Sequence, residues 1–152
     1  MIKQFELKTE SDLRHFAELL SKTAFESEFI ALFGGLGAGK TTFVRCFASA
    51  LGMDTAASPT FTIVRNYSSD SLSIAHFDCY RLADSDELFA IGFDDYLDTA
   101  SIIIMEWSEN VIDALPPERL EISMSGSGND PRFIELRSFG KAYDEILAGI
   151  EL

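Results

Sequence analysis

The chain has few basic residues, and this shortage limits the partners that it can hold. Only 12 Lys and Arg stand against 25 Asp and Glu, which gives a formal charge of −13 at pH 7. A protein that binds a polyanion by itself needs clustered Lys and Arg to neutralise the phosphates. We therefore expect any nucleic acid to be held mainly by a partner, and we interpret the acidic excess as a source of solubility.

Cysteine and long apolar segments are also scarce. Cys46 and Cys79 lack C-x-x-C spacing, which argues against a zinc site or a disulfide framework, and we expect both to be buried. The longest apolar runs, 29–33 and 102–105, are far shorter than the ~20 residues that a membrane-spanning helix needs. Residues 1–6 show no export signal. These absences predict a cytoplasmic protein without a membrane contact.

The residues that are present suit one compact domain over positions 1–152. Hydrophobic residues make up 47% of the chain, which is enough for a real core, and the length fits a single domain. Short β-rich runs alternate with apolar residues at helical spacing. Strands are predicted at 2–7, 29–33, 61–67, 72–77, 102–105, 120–124 and 133–136, and helices at 13–20, 41–51, 84–91 and 141–150.

The arrangement of these segments predicts the fold class. The runs 29–33 and 102–105 have no polar alternation, which is typical of strands buried on both faces of a parallel sheet. The runs 61–67 and 72–77 are joined by a short polar connection and should form an antiparallel pair. We therefore predict a single α/β domain of the P-loop NTPase class, with a mixed, mostly parallel sheet and helices on both sides.

Residues 34–41 match the phosphate-loop pattern G-x-x-x-x-G-K-[ST] between a buried strand and an amphipathic helix. Glycines let successive N–H groups turn inward around a phosphate, and the start of the helix adds partial positive charge. We expect Lys40 to be a solvated loop lysine that carries charge to the β- and γ-phosphates, and Thr41 to coordinate Mg²⁺. The predicted nucleotide-binding residues are Gly35, Leu36, Gly37, Ala38, Gly39, Lys40, Thr41 and Thr42.

Two hydrophobic runs end in an acid, as the second half of a magnesium site requires. Asp78 follows one and Glu106 follows the other, and both should lie at the carboxyl edge of the sheet. Each acid alone is equally well explained as a cap for the helix that follows it. His76 and His15 are assigned no proton-transfer role, because packed or hydrogen-bonded histidines are more common than catalytic ones.

Thr60 is a candidate switch residue, because it lies in the first loop after the helix of the phosphate loop. Nucleotide switches order such a loop through a hydroxyl that reaches the γ-phosphate or its metal. In isolation, the tripeptide 58–60 is most often only a turn. Trp107 is interpreted as a core or interface residue rather than a base-stacking one.

Four segments together resemble one known family. Gly-Leu-Gly-Ala-Gly-Lys-Thr-Thr-Phe (35–43), Ser-Pro-Thr-Phe-Thr-Ile-Val (58–64), His-Phe-Asp-Cys-Tyr-Arg-Leu (76–82) and Glu-Trp (106–107) resemble the TsaE (YjeE) family over roughly residues 5–137. The resemblance implies an ATPase that works with TsaB and TsaD proteins in making N6-threonylcarbamoyladenosine in tRNA. It implies that hydrolysis resets the TsaB–TsaD complex, and that tRNA is contacted only through that complex.

The resemblance also implies roles for single residues. Lys40 matches the phosphate lysine, Thr41 and Glu106 match the magnesium site, Thr60 matches the switch threonine, and Asp78 matches the acidic residue of H-x-D-x-Y-R; Glu10 and Gly128 fall near positions that approach the nucleotide. Family members usually carry Asp where this chain has Gly35, so any polar contact of that carboxylate is missing here.

Three alternatives remain open from the sequence. A small-molecule or nucleotide kinase shares the phosphate loop, but it needs several basic residues around the migrating phosphoryl group, and the seven arginines here are scattered. A GTPase switch would need an Asn/Thr-Lys-x-Asp element, which the chain lacks. A structural partner that binds ATP without hydrolysing it would carry the same phosphate loop.

Overall fold

The computed structural model describes residues 1–55 and 63–152, which form a seven-stranded sheet with helices. The elements in chain order are β1 (Ile2–Leu7), α1 (Glu10–Ser21), β2 (Glu28–Phe33), α2 (Lys40–Ala50), β3 (Val64–Ser68), β4 (Ser73–Asp78), α3 (Ser85–Ala90), α4 (Phe93–Thr99), β5 (Ile102–Glu106), a 3₁₀ helix (Ser108–Ala114), β6 (Arg119–Ser125), β7 (Arg132–Phe139) and α5 (Lys141–Gly149).

The sheet is mixed, as the sequence predicts, with strand order β1-β7-β6-β2-β5-β4-β3. The pairs β6/β2, β2/β5 and β5/β4 are parallel, whereas β1/β7, β7/β6 and β4/β3 are antiparallel. The predicted hairpin is confirmed for the part that the structure describes, and its residues 61 and 62 lie outside that part. The parallel centre places the ends of β2, β4 and β5 at one edge, where α2 also begins.

Helices cover both faces of the central strands, and the alternation along β2 shows why. Ile30 and Leu32 point to a core that α1, α2 and α5 complete. Phe29 and Ala31 point to a second core, built with residues of α3, α4 and the 3₁₀ helix. Neighbouring residues of a strand face opposite sides of the sheet. A strand that is covered on both faces is therefore apolar at successive positions, as residues 29–32 are. The predicted three-layer arrangement is confirmed.

The start of α1 follows from its capping residues. The Thr9 hydroxyl accepts a hydrogen bond from the Asp12 N–H at 3.1 Å, and Asp12 Oδ2 accepts from the Thr9 N–H at 3.2 Å. This reciprocal pair satisfies two N–H groups that the first helical turn leaves without partners. The cap fixes where β1 turns into α1, and it places Glu10 in the first turn of the helix.

Two short elements were missing from the sequence prediction. The helix predicted at 84–91 ends at Ala90, and Gly92, in a left-handed conformation with φ of 91°, is the N-cap residue of the unpredicted α4. The 3₁₀ helix after Glu106 was also not predicted. Both are too short to show a clear period.

Of the two free cysteines, Cys79 is buried as expected and Cys46 only partly so. Within the described ranges, no helix has the length and apolar character to span a membrane.

Candidate functional site

The glycine loop, residues 34–39, connects β2 to α2 at the carboxyl edge of the sheet. Gly34 has φ of 139°, and a Cβ there would lie 2.2 Å from the Met124 carbonyl oxygen, so only glycine fits. Gly39, with φ of 101°, stands at the N-cap of α2 and has no side chain that could cap it. The first N–H groups of α2 are therefore left for an external acceptor, which is the arrangement of an anion site.

Lys40 is buried, which corrects the expectation of a solvated loop lysine. Only 5% of the residue is exposed. Its Nζ donates a hydrogen bond to the Gly34 carbonyl and lies 3.6 Å from the centroid of the Trp107 ring. Desolvation lowers the pKa of Lys40, while the nearby carboxylates of Glu109, Glu106 and Asp78 act in the opposite direction. The sequence analysis did not predict the contact between Lys40 and the Trp107 ring.

Thr41 and Glu106 meet as the sequence predicts. The Thr41 hydroxyl donates to the Glu106 carboxylate, at 3.0 Å from Oε1 and 3.2 Å from Oε2. Thr41 is in the first turn of α2 and Glu106 ends β5, so the helix start and the strand end fix the pair. The contact places one hydroxyl and one buried carboxylate side by side beneath the glycine loop.

His76 is buried and hydrogen-bonded, as the sequence analysis expects, but its contact with Glu106 was not predicted. Its Nε2 lies 2.5 Å from Glu106 Oε2, and its Nδ1 lies 3.5 Å from the Tyr67 hydroxyl. Asp78 pairs with Glu106 in the register of β4 and β5, and His76 shares a face with Asp78 two residues earlier. The period of two along β4 is therefore the signal that could have pointed to His76 as a support for Glu106.

Asp78 lies beside Glu106 at the strand ends and lines the same cleft. Its Oδ1 accepts a hydrogen bond from the Tyr80 N–H at 3.1 Å, which stabilises the turn that follows β4. The Asp78 carboxylate thus faces the site and also stabilises a turn, whereas the alternative of a cap for the next helix is wrong for Asp78, because Asp84 caps α3. Thr60, the other candidate for a role at the γ-phosphate, lies outside the described residues.

The predicted residues surround one cleft of about 630 Å³. Its lining includes the predicted residues Glu10, Leu36, Gly37, Ala38, Gly39, Lys40, Thr41, Thr42, Asp78, Glu106 and Gly128. Gly35 does not line the cleft, and a Cβ built there would meet no atom within 4 Å. The position thus has room for the aspartate that the resemblance leads one to expect. Arg132 also lines the cleft, and no sequence pattern indicated it.

The residues fit a magnesium ion only in company with a nucleotide. Among the residues that the structure describes, no group of three or more His, Cys, Asp or Glu is arranged to hold a metal by itself. Thr41 and Glu106 offer a hydroxyl and a carboxylate, the oxygen ligands that Mg²⁺ prefers, and Mg²⁺ commonly completes its shell with phosphate oxygens and water. The pair therefore suits a metal that arrives with a triphosphate.

Comparisons with known proteins agree on one family. The family model "Threonylcarbamoyl adenosine biosynthesis protein TsaE" matches residues 7–134. The chain is similar to the tRNA threonylcarbamoyladenosine biosynthesis protein TsaE of Bacillus subtilis, with 35% identity over 94% of this chain and 91% of the relative. The Haemophilus influenzae protein of the same description shows 41% identity over 81% of this chain and 78% of its own.

A solved structure also resembles the fold. The crystal structure of YdiB from Bacillus subtilis aligns with a TM-score of 0.78 and 31% identity, and the match covers 97% of this chain and 94% of that one. The similarity therefore extends over the whole sheet and its helices, including the strands that carry the cleft.

Proposed function

The chain belongs to the TsaE family, whose members take part in tRNA threonylcarbamoyladenosine biosynthesis, and on that premise we propose that it is a Mg²⁺-dependent ATP hydrolase of the P-loop class. The observation that carries the proposal is the contact of Thr41 with Glu106 beneath the glycine loop. A general phosphate site would need only the loop and its lysine. A buried carboxylate against the first-turn hydroxyl supports a metal–triphosphate ligand.

Each residue of the site has a defined task in this proposal. The N–H groups at the start of α2 receive the phosphate oxygens, and Lys40 supplies positive charge next to them. Thr41 and Glu106 would hold magnesium, which when bound neutralises charge on the β- and γ-phosphates. Because the hydroxyl and the carboxylate already touch, little reorganisation is needed before binding.

Asp78 is proposed to orient the attacking water. The residue stands at the cleft next to Glu106, with one oxygen already engaged by the Tyr80 N–H. Thr60 is proposed as the switch hydroxyl that reaches the γ-phosphate or its metal. Glu10 and Gly128 enclose the cleft from α1 and from the loop between β6 and β7, and are proposed to approach the rest of the nucleotide.

The partners are proposed from the family and from the charge of the chain. We propose that the protein acts in the cytoplasm on a complex of TsaB- and TsaD-type proteins and contacts tRNA only through them. The formal charge of −13 supports this assignment, because autonomous tRNA binding needs a basic surface. In a gel-shift titration at physiological salt, the chain alone should bind tRNA weakly, and submicromolar binding would contradict the proposal.

Phosphate release from ATP tests the proposed activity. The chain is measured alone and then with TsaB- and TsaD-type proteins and tRNA, and we expect a large increase with the partners. Lys40→Ala should lose several kcal/mol of transition-state stabilisation, roughly what removal of a charged phosphate contact costs. Lys22→Ala, at an exposed lysine after α1, is the matched control and should retain full activity.

Two outcomes would overturn the proposal. Normal ATPase activity in a folded Lys40→Ala protein would remove the phosphate-loop mechanism. Partner-independent transfer of the γ-phosphoryl group to a small-molecule acceptor, rather than to water, would instead establish the kinase.

A further inference from the structure

Arg132, the first residue of β7, lies between two loops of the cleft. Its Nε donates to the Ala38 carbonyl at 3.0 Å, and its Nη2 donates to the carbonyls of Gly37 at 3.3 Å and Gly128 at 3.0 Å. Its Nη1 donates to the Asp130 carbonyl at 2.6 Å. One guanidinium group therefore joins the glycine loop to the β6–β7 loop, residues 126–131.

Glycine residues lie close to the Arg132 side chain, where a larger residue would leave it less room. A Cβ at Gly126 would lie 3.2 Å from Arg132 Cδ, and a Cβ at Gly39 would lie 3.9 Å from Arg132 Nε. Gly126 also has φ of 107°, and its Cβ would come within 2.4 Å of the Pro131 carbonyl oxygen. Glycine at 126 thus leaves room for the arginine to reach its four acceptors, whereas the distance at Gly39 is an ordinary van der Waals contact.

The acceptors on the glycine loop explain what the contact does. In a planar peptide unit, the C=O of one residue and the N–H of the next point in opposite directions. Because Arg132 holds the Ala38 carbonyl, it also fixes the direction of the Gly39 N–H in the same peptide unit. Such N–H groups are what a phosphate loop presents to its anion.

We propose that Arg132 is a positioning residue that holds the glycine loop and the β6–β7 loop in their nucleotide-binding arrangement before the nucleotide arrives. The ligand named here, a nucleoside triphosphate, rests on the proposed function, whereas the link between the loops is a property of the free chain. Arginine suits the task because its planar fork offers five donors in fixed directions, which a lysine ammonium does not.

Hydrogen exchange of the nucleotide-free protein tests the link itself. In Arg132→Ala, amides in 34–39 and 126–131 should exchange about tenfold faster than in the wild type, because several hydrogen bonds that oppose local opening are lost. Arg132→Lys should give a smaller acceleration. The matched control is Arg137→Ala on the same strand, where the guanidinium binds the exposed Glu135, and it should leave both segments unchanged. Unchanged exchange in Arg132→Ala would overturn the proposal.

Nucleotide titration tests the consequence. Arg132→Ala should raise the Kd for Mg-ATP about tenfold and leave kcat at saturation within about twofold, because Lys40, Thr41 and Glu106 are untouched. Added methylguanidinium should restore part of the lost affinity. An unchanged Kd, or an equal loss in kcat, would overturn the positioning role.

The two proposals fail in different ways. If the wild-type chain bound no ATP, the proposed function would fall, and the exchange data would still decide whether Arg132 joins the loops. If circular dichroism shows that Arg132→Ala does not fold, the same measurements are made on Arg132→Lys and Arg132→Gln. These variants retain the aliphatic part of the side chain.

Discussion

Two glutamates on neighbouring parallel strands are equally buried, one at the amino end and one at the carboxyl end of the strands. They differ in the hydrogen-bond partners of their carboxylates. Glu106 ends β5 and Glu28 begins β2, and each is 3% exposed. The Glu106 carboxylate contacts Thr41 and His76. Within the described part of the chain, Glu28 Oε1 has no hydrogen-bond partner. Burial raises the pKa of Glu28 to about 8, so this residue is mainly uncharged at neutral pH.

The surroundings of Glu28 are those of a core. The Tyr143 hydroxyl accepts a hydrogen bond from the Phe29 N–H at 2.8 Å, and burial raises the pKa of Tyr143 to about 12. At the other edge, Lys40, Asp78 and Glu106 are gathered around an open cleft. The difference teaches that burial alone does not make a carboxylate useful. The position of the carboxylate at the cleft and its polar partners decide whether it can serve a metal or a phosphate.

The largest effect should come from ionising Glu28, whose Oε1 has no hydrogen-bond partner among the described residues. The pKa of Glu28 is about 8 in the folded chain against 4.5 for the free side chain, so the folded state binds the extra proton between these values. The contribution of protonated Glu28 to the free energy of unfolding is therefore fully present below pH 4.5 and is lost as the pH rises towards 8. The loss should total about 3 to 5 kcal/mol, at about 1.4 kcal/mol per unit.

Denaturant unfolding at a series of pH values measures this loss. Glu28→Gln keeps a neutral side chain of the same shape and should remove the contribution, so the variant becomes more stable than the wild type near pH 9. Glu26→Gln, two residues away and exposed, is the control and should keep the wild-type slope. An unchanged slope in Glu28→Gln would refute the assignment.

Removing the partnered glutamate should affect the chemistry rather than the fold. Glu106→Ala should shift the Mg²⁺ titration to higher concentration and lower turnover about a hundredfold, or about 3 kcal/mol. Calorimetry gives the metal and nucleotide affinities, and phosphate release gives the rate. If Glu106→Ala left the metal titration unchanged while Asp78→Ala shifted it, the roles of the two acids would be reversed.

Asp78→Ala should have a smaller effect than Glu106→Ala. The carboxylate is exposed at the cleft and is proposed to orient water, so turnover should fall about tenfold with little change in nucleotide affinity. The fold should persist, since no apolar volume leaves the core. Asp70→Ala, at the exposed turn between β3 and β4, is the control. A large loss of ATP affinity with unchanged kcat would show that Asp78 binds rather than activates.

The smallest effect should come from a conservative change at His76, the support of Glu106. His76→Gln retains a donor that can reach the carboxylate, and it should raise the Mg²⁺ requirement only about threefold, whereas His76→Ala should raise it about tenfold or more. His15→Gln, at an exposed position of α1, is the control. Equal effects of Gln and Ala at position 76 would mean that the hydrogen bond does not position Glu106.

The sheet and the centre of the site could be predicted from the sequence because their signals are local. An unbroken apolar run indicates a strand that is buried on both faces of the sheet, and the glycines before Lys40 indicate the phosphate loop. Parallel strands end at the same edge, so Glu106 could be expected beside Thr41 without knowledge of the strand order. The pair is indeed in contact.

The remaining features depend on contacts that no local pattern reveals. Arg132 is separated from Ala38 by 94 positions and binds its carbonyl oxygen, which every residue possesses. The burial of Lys40 depends on the Trp107 ring, and Trp107 takes a left-handed φ of 58° that is uncommon for a residue with a side chain. The unpartnered Oε1 of Glu28 could not be predicted, because it follows from the described residues that surround β2 in three dimensions.

The pairing of β1 with β7 governs the order in which the molecule can be completed. Ile2 lies opposite Arg137, so β1 can pair only with a strand that is synthesised much later. Pairing between such distant segments carries a high loop-closure cost and comes late in folding. The glycine loop is made early, but Arg132 belongs to β7. Competence to bind nucleotide should therefore arise only after β7 has been synthesised, and chains that stop short of β7 should lack it.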